Sequence, residues 1–161
     1  MSVSPLIAAA AGEFHYNTGC LQRAVDGLST EQWLTRPDKG NHVAFIVGHV
    51  LWARRALVTR VGATWDYPGL EVFARGARLD PAASYPTPES LLAGWQQSES
   101  VLASALNHLT PDALAAPAPP GPPSPDGKLS GFIGVLAWHE TYHLGQIAYL
   151  RCWLGQPPLF G

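Results

Sequence analysis

WHETYHLGQ, residues 138–146, lies inside an uninterrupted stretch that begins near Ser130 and stops at Gly155, where Pro157 and Pro158 forbid further helix. Its two histidines, His139 and His143, are four residues apart and so share one face of a helix. With His139 as origin and about 100° per residue, Phe132, Val135, Leu136, Tyr142, His143, Gln146, Leu150 and Trp153 all fall within about 60° of it. The stretch reads as a helix whose apolar stripe is interrupted by two imidazoles. Burying imidazoles in a core costs free energy unless something binds them.

Working outward, the same spacing recurs. In residues 5–28, Ile7, Ala11, Phe14, Thr18, Leu21, Val25 and Leu28 step by fours and threes along one face. Residues 41–62 do the same with Phe45, Ile46, His49, Trp52, Ala53 and Ala56. Thr87-Pro88-Glu89 is a helix start, an N-cap followed by proline and an acid, and Leu91, Leu92, Trp95, Leu102 and Leu106 continue it. No segment alternates apolar and polar residues long enough for a strand. The expected fold is all-α, a four-helix bundle with long connections, forming a single domain over residues 1–161. Residues 29–40 read as a turn holding Trp33, Arg36 and Lys39, and residues 63–86 as a long connection pinned by Trp65, Tyr67 and Phe73. Thr110-Pro111-Asp112 caps a short helical turn ahead of the irregular, proline-rich 116–128.

Composition narrows the classes. A net charge of −2 with no basic block excludes a nucleic-acid surface or an anionic membrane as the expected partner. Two cysteines, Cys20 and Cys152, are too few for a disulfide framework. The start lacks a basic segment of the signal-peptide kind, and no apolar run approaches a membrane span. The expectation is a soluble, cytoplasmic protein.

On the second helix, His49 also faces the apolar side, with His42 nearly two turns nearer the end. In an up-down-up-down bundle the second and fourth helices run parallel, and His49 and His139 then lie at matching depths. Three imidazoles at one level, His49, His139 and His143, are the pattern of a metal site. His15 lies off its helix's stripe and His108 ends the third helix, so neither is a candidate ligand. Gln146 shares the metal face one turn on and is a candidate partner for a ligand's other ring nitrogen.

His139-Glu140-Thr141-Tyr142-His143 also spells H-E-x-x-H, the zinc signature of a metalloprotease. That reading fails here. After His143 the chain contains no Asp, Glu or His to complete the site, and no sheet is present to align a peptide. Glu140 sits about 100° from His139, beside the site, and reads as a flanking charge rather than a base.

The blocks NHVAFIVGHVLWARR (41–55) and HETYHLGQIAYLR (139–151) resemble the DinB/YfiT-like family of metal-binding four-helix bundles, with looser agreement over LSTEQWLTRPDKGN (28–41) and the proline-rich approach to the last helix. The resemblance implies that His49, His139 and His143 are the metal ligands. His42 departs from it, standing where relatives often carry serine, and would add a polar group at the mouth. It further implies homodimers. It also implies, for some members, thiol-dependent S-transfer or isomerisation with a low-molecular-weight thiol.

Three neutral histidines leave a divalent ion its full charge and an open position, and such an ion would deprotonate a bound thiol. The metal would be a divalent transition metal, with zinc and nickel the first candidates. The expected function is thiol S-transfer to a small-molecule electrophile. The alternatives are a non-catalytic metal-binding stress-response protein and a metal-dependent hydrolase with Glu140 or a rim residue as base. With parallel helices, the 29–40 turn and the 109–129 loop would both rim the site, making Trp33, Arg36, Lys39 and Lys128 candidate substrate contacts beside Tyr142 and His42. Small residues on the far side of the last helix (Gly134, Ala137, Thr141, Gly145, Ala148, Cys152) mark a close approach, to a neighbouring helix or to a second subunit. Cys20 and Cys152 lie off the metal face, so the thiol would come from outside.

Overall fold

Capping side chains decide where most helices begin. The computed structural model describes residues 3–80 and 82–160. Within them the helices are α1 (Ala8–Val25), α2 (Thr30–Leu34), α3 (Val43–Arg60), α4 (Pro88–Asn107), α5 (Pro111–Ala115) and α6 (Leu129–Trp153), with single 3-10 turns at Pro5–Ile7 and Leu70–Phe73. Thr87 and Thr110 accept hydrogen bonds from the Ser90 and Ala113 amides, each with proline at the next position. The turn expected at 29–40 contains a helix the apolar spacing could not reveal. Ser29 and Gln32 form a reciprocal capping box that starts α2 and buries Trp33 in the core, at 2% exposure. Among the described residues there is no strand, and no helix is long and apolar enough to cross a membrane.

Four long helices make the bundle, but their directions differ from the expected alternation. Arg60 lies over the Phe132 ring, His49 meets His139, and Ile46 shares a groove with Leu150. Rising residue numbers on α3 thus meet falling numbers on α6, and the two helices are antiparallel. Asn17 bonds Thr141 and Arg151 donates to the Ala24 carbonyl, so α1 and α6 are parallel. Arg54 bonds Ser98 while Val61 shares a pocket with Ser104, so α3 and α4 are parallel as well. The order is up-down-down-up.

The length of the 61–87 connection follows from that topology. Two parallel helices in sequence require the chain to return along the bundle, and α3, with 18 residues, is about 27 Å long. The return segment is held by buried Trp65, Tyr67, Leu70 and Phe73. Two glycines admit it. A Cβ on Gly94 would lie 2.6 Å from the Tyr67 ring, and one on Gly48 would lie 2.6 Å from the Phe73 ring. The small-residue face of α6 serves partly to seat α1. Ala137 is fully buried, and Thr141 bonds Asn17 and Glu13.

His42 is not at a mouth. It caps α3, its Nδ1 accepting from the Phe45 amide at 3.0 Å, and its ring is buried edge-on against Tyr85. A serine at this position would provide the same kind of cap. Burial holds the His42 imidazole down at about 4, with Arg36 adding a smaller push in the same direction. The folded state therefore takes up this proton only near pH 4, whereas an unfolded histidine does so near 6.5. The resulting stability is complete above about pH 6.5 and is lost as the pH falls towards 4. His42→Ser should keep the cap and remove about 1.4 kcal/mol per pH unit from that slope. Urea unfolding of metal-free protein between pH 7 and 4.5 measures it, and a residual slope is expected from His139 and His143.

Candidate metal centre

The three inward histidines meet although the helices carrying them run in opposite directions. His49 is the seventh residue of α3, and His139 and His143 are the eleventh and fifteenth of α6. All three lie in the middle part of their helices, where antiparallel packing brings them level. His139 Nε2 lies 3.3 Å from His49 Nε2 and 3.1 Å from His143 Nε2, and one ligand atom from each ring falls within 4.8 Å of the others. Nitrogens at 2.0–2.1 Å from a tetrahedral zinc stand about 3.3–3.4 Å apart, so the separations fit one ion.

The outer nitrogens fix the tautomers. His49 Nδ1 lies 2.8 Å from the Phe73 carbonyl oxygen, which can only accept, so Nδ1 carries the proton. His143 Nδ1 lies 2.7 Å from Gln146 Oε1, and Gln146 Nε2 donates to the Tyr142 hydroxyl at 3.3 Å. Neutral His49 and His143 thus both point a bare Nε2 lone pair at His139. A single proton on His139 Nε2 can satisfy only one of them. A second proton is opposed, because burial holds His139 down at about 4, helped by its two histidine neighbours, and burial also lowers His143. A metal cation at the point of convergence satisfies all three lone pairs. This is the fit of the group to the residues.

Gly48 is part of that arrangement. Only with no side chain there can the Phe73 ring lie flat against α3, and the Phe73 carbonyl then reaches the next residue, His49. Trp52 stacks on the His49 ring with centroids 5.9 Å apart.

Glu140 is removed from the site entirely. It is 1% exposed, and its two oxygens accept from Arg54 Nε and Nη2 at 2.7 and 2.8 Å. Arg54 also contacts Glu99 at 3.3 Å, donates to Ser98, and stacks on Trp95. Burial pushes the Glu140 carboxyl up while Arg54 pulls it down. With both oxygens engaged it cannot serve as a base at the histidines, which corrects the hydrolytic use of Glu140.

The expected rim is corrected too. Trp33 is buried in the core, and exposed Arg36 lines neither opening near the histidines, its Nη1 donating to the Asp38 and Gly40 carbonyls of its own turn. Because α3 and α6 are antiparallel, the 29–40 turn and the 116–128 loop lie at opposite ends. Lys39 lines a groove with exposed Tyr142 and Gln146 at one end. At the other, a cavity of about 360 Å³ opens directly onto His49 and His139. Its walls include Trp52, on the face expected to carry His49, and Arg60 and Arg75, which the apolar spacing could not reveal. Lys128 precedes α6 and does not line it.

The sequence pattern of the DinB superfamily matches residues 13–147, most of the chain and all three histidines. The protein belongs to the DinB superfamily. None of the curated proteins compared with it matches. In this DinB-superfamily chain the H-E-x-x-H letters split into two functions, with His139 and His143 in a group that could bind a metal ion and Glu140 in the core.

Paired substitutions separate the two functions. Glu140→Gln leaves Arg54 short of a buried partner and should cost roughly 3–5 kcal/mol of stability, nearer the lower figure because Glu99 stays in reach. Zinc affinity of the folded protein should hardly change, because the isosteric amide keeps an oxygen acceptor for Arg54 and with it the register of α3 on α6. Gly48→Ala should instead reach the site, displacing buried Phe73 at a cost of about 1–3 kcal/mol in stability and weakening zinc about 10- to 100-fold through loss of the His49 Nδ1 contact. Chemical unfolding and competition with a coloured chelator read both effects.

Proposed function

We propose that His49, His139 and His143 bind one divalent transition metal, zinc or nickel first, and that the site serves thiol S-transfer to a small electrophile. The observation that carries this reading is the pair of bare Nε2 lone pairs aimed at His139 beside an open cavity. Three protein ligands with accessible space on one side are the arrangement of a reactive rather than a closed structural site. A bound divalent ion supplies the Lewis acidity that makes a thiol a thiolate at neutral pH.

The chain's own residues do the positioning. Phe73 and Gln146 fix the tautomers of His49 and His143, and Trp52 stacks against His49. The Ala56, Phe132 and Leu136 walls give an electrophile's apolar body a place to shed water. The thiol comes from solution, since Cys20 is buried in the core and Cys152 is exposed near the end of α6. The hydrolytic alternative loses Glu140 as its base to Arg54.

Cobalt substitution tests the proposal. The expected result is one cobalt per chain and a visible spectrum that gains a thiolate charge-transfer band when 2-mercaptoethanol is added. Cobalt binding with a spectrum that the thiol leaves unchanged would reject the S-transfer reading and favour a non-catalytic metal protein. No cobalt binding would reject the site.

A further inference from the structure

We propose that the cavity beside the histidines is a subsite for an organic anion with an apolar body, its carboxylate held by Arg60 and Arg75. The proposal rests on the metal reading only for where the reacting end of the molecule would lie. It goes beyond that reading in naming the chemistry of the substrate.

On α3, His49, Ala56 and Arg60 are separated by seven and four residues, so they line one face, and His49 to Arg60 spans about 16 Å along the helix. Opposite, Phe132, Leu136 and His139 line one face of antiparallel α6. The space between is a trough with imidazole nitrogens at one end and a guanidinium at the other, and the middle is hydrocarbon.

Charge in this trough is one-sided. Arg60, Arg75 and the imidazoles line it, and no acidic residue does. Glu140 and Glu99 are engaged by Arg54, and Glu71 by Arg55. Among the described residues, no ion pair involves Arg60 or Arg75. Arg60 is nevertheless held in place. It donates from Nη1 to the Ala56 carbonyl and from Nη2 to the Pro120 carbonyl, and lies over the Phe132 ring. Two of its five N–H groups are used, which leaves a positioned guanidinium with donors to spare. Arg75 approaches from the return segment, two residues beyond Phe73. Both arginines are exposed at the mouth, and a carboxylate between them would gain charge-assisted hydrogen bonds. A neutral ligand of the same shape would not.

The probes are 4-phenylbutanoate and its neutral amide, titrated calorimetrically into chelator-treated protein. The Trp52 indole N–H is followed by NMR to place the ligand. The carboxylate should bind at least tenfold more tightly than the amide and shift Trp52. Arg75→Gln, whose side chain makes no hydrogen bond among the described residues and should leave folding intact, should weaken the carboxylate at least threefold. With Arg60→Gln added, the preference should vanish. Arg78→Gln, which removes the same charge outside the cavity, should behave as the parent. Equal binding of acid and amide would overturn the proposal, as would equal losses in the Arg75 and Arg78 variants. A parallel zinc titration keeps the two readings apart. Charge discrimination without zinc binding would sink the metal reading and support the subsite, and zinc binding without discrimination would do the opposite.

Discussion

The bidentate contact between Arg54 and Glu140, at 2.7 and 2.8 Å, ties α3 to α6 in the middle of the bundle, and the rest of the site is set by it. Arg54 lies five residues beyond His49 and Glu140 lies one beyond His139, so this pair fixes both the register and the rotation of one histidine helix against the other. Ser98, Glu99 and Trp95 complete the surroundings of the guanidinium and bring α4 into the same network. A buried charge pair is weak as a source of stability, but a broken one is costly, which makes it effective at specifying a single arrangement. With Glu140 in the core, His139 and His143 are held half-buried, and His139 lines the cavity together with His49.

The neighbouring letters of H-E-x-x-H thus do different work because a helix turns about 100° per residue. The His49 and His143 rings are oriented from behind, by the Phe73 carbonyl and by Gln146, and so keep their Nε2 lone pairs towards the centre. That orientation depends on a glycine. Gly48 lets the return segment close on α3, and the length of that segment follows from α3 and α4 being parallel. Topology, packing and tautomer form one chain of causes.

Much of this was legible in the sequence. The four long helices, the starts at Thr87 and Thr110, the irregular 116–128 stretch and the grouping of His49, His139 and His143 all follow from spacing and local chemistry. Helix direction was not legible, because mid-helix histidines converge under either packing and so carry no information about it. The rotation of α6 was also misjudged. Its large apolar residues surround the whole helix, and exposed Tyr142 and Trp153, both within the expected stripe, draw that stripe towards solvent. The buried arc centres instead near Glu140, on the side where small Ala137 lets α1 approach, and small residues contribute little to a hydropathy pattern. Nothing in the spacing distinguishes Arg54, Arg60 and Arg75, and the topology places the first in the core and the other two beside a cavity.

The central claim, that three imidazole nitrogens from antiparallel helices hold one ion, is tested most directly by X-ray absorption at the metal edge of the zinc-loaded protein. The account predicts one zinc per chain with three imidazole nitrogens at about 2.0–2.1 Å and a further light-atom ligand, and loss of that shell in His139→Ala. A shell containing cysteine sulfur, or one unchanged by His139→Ala, would contradict it.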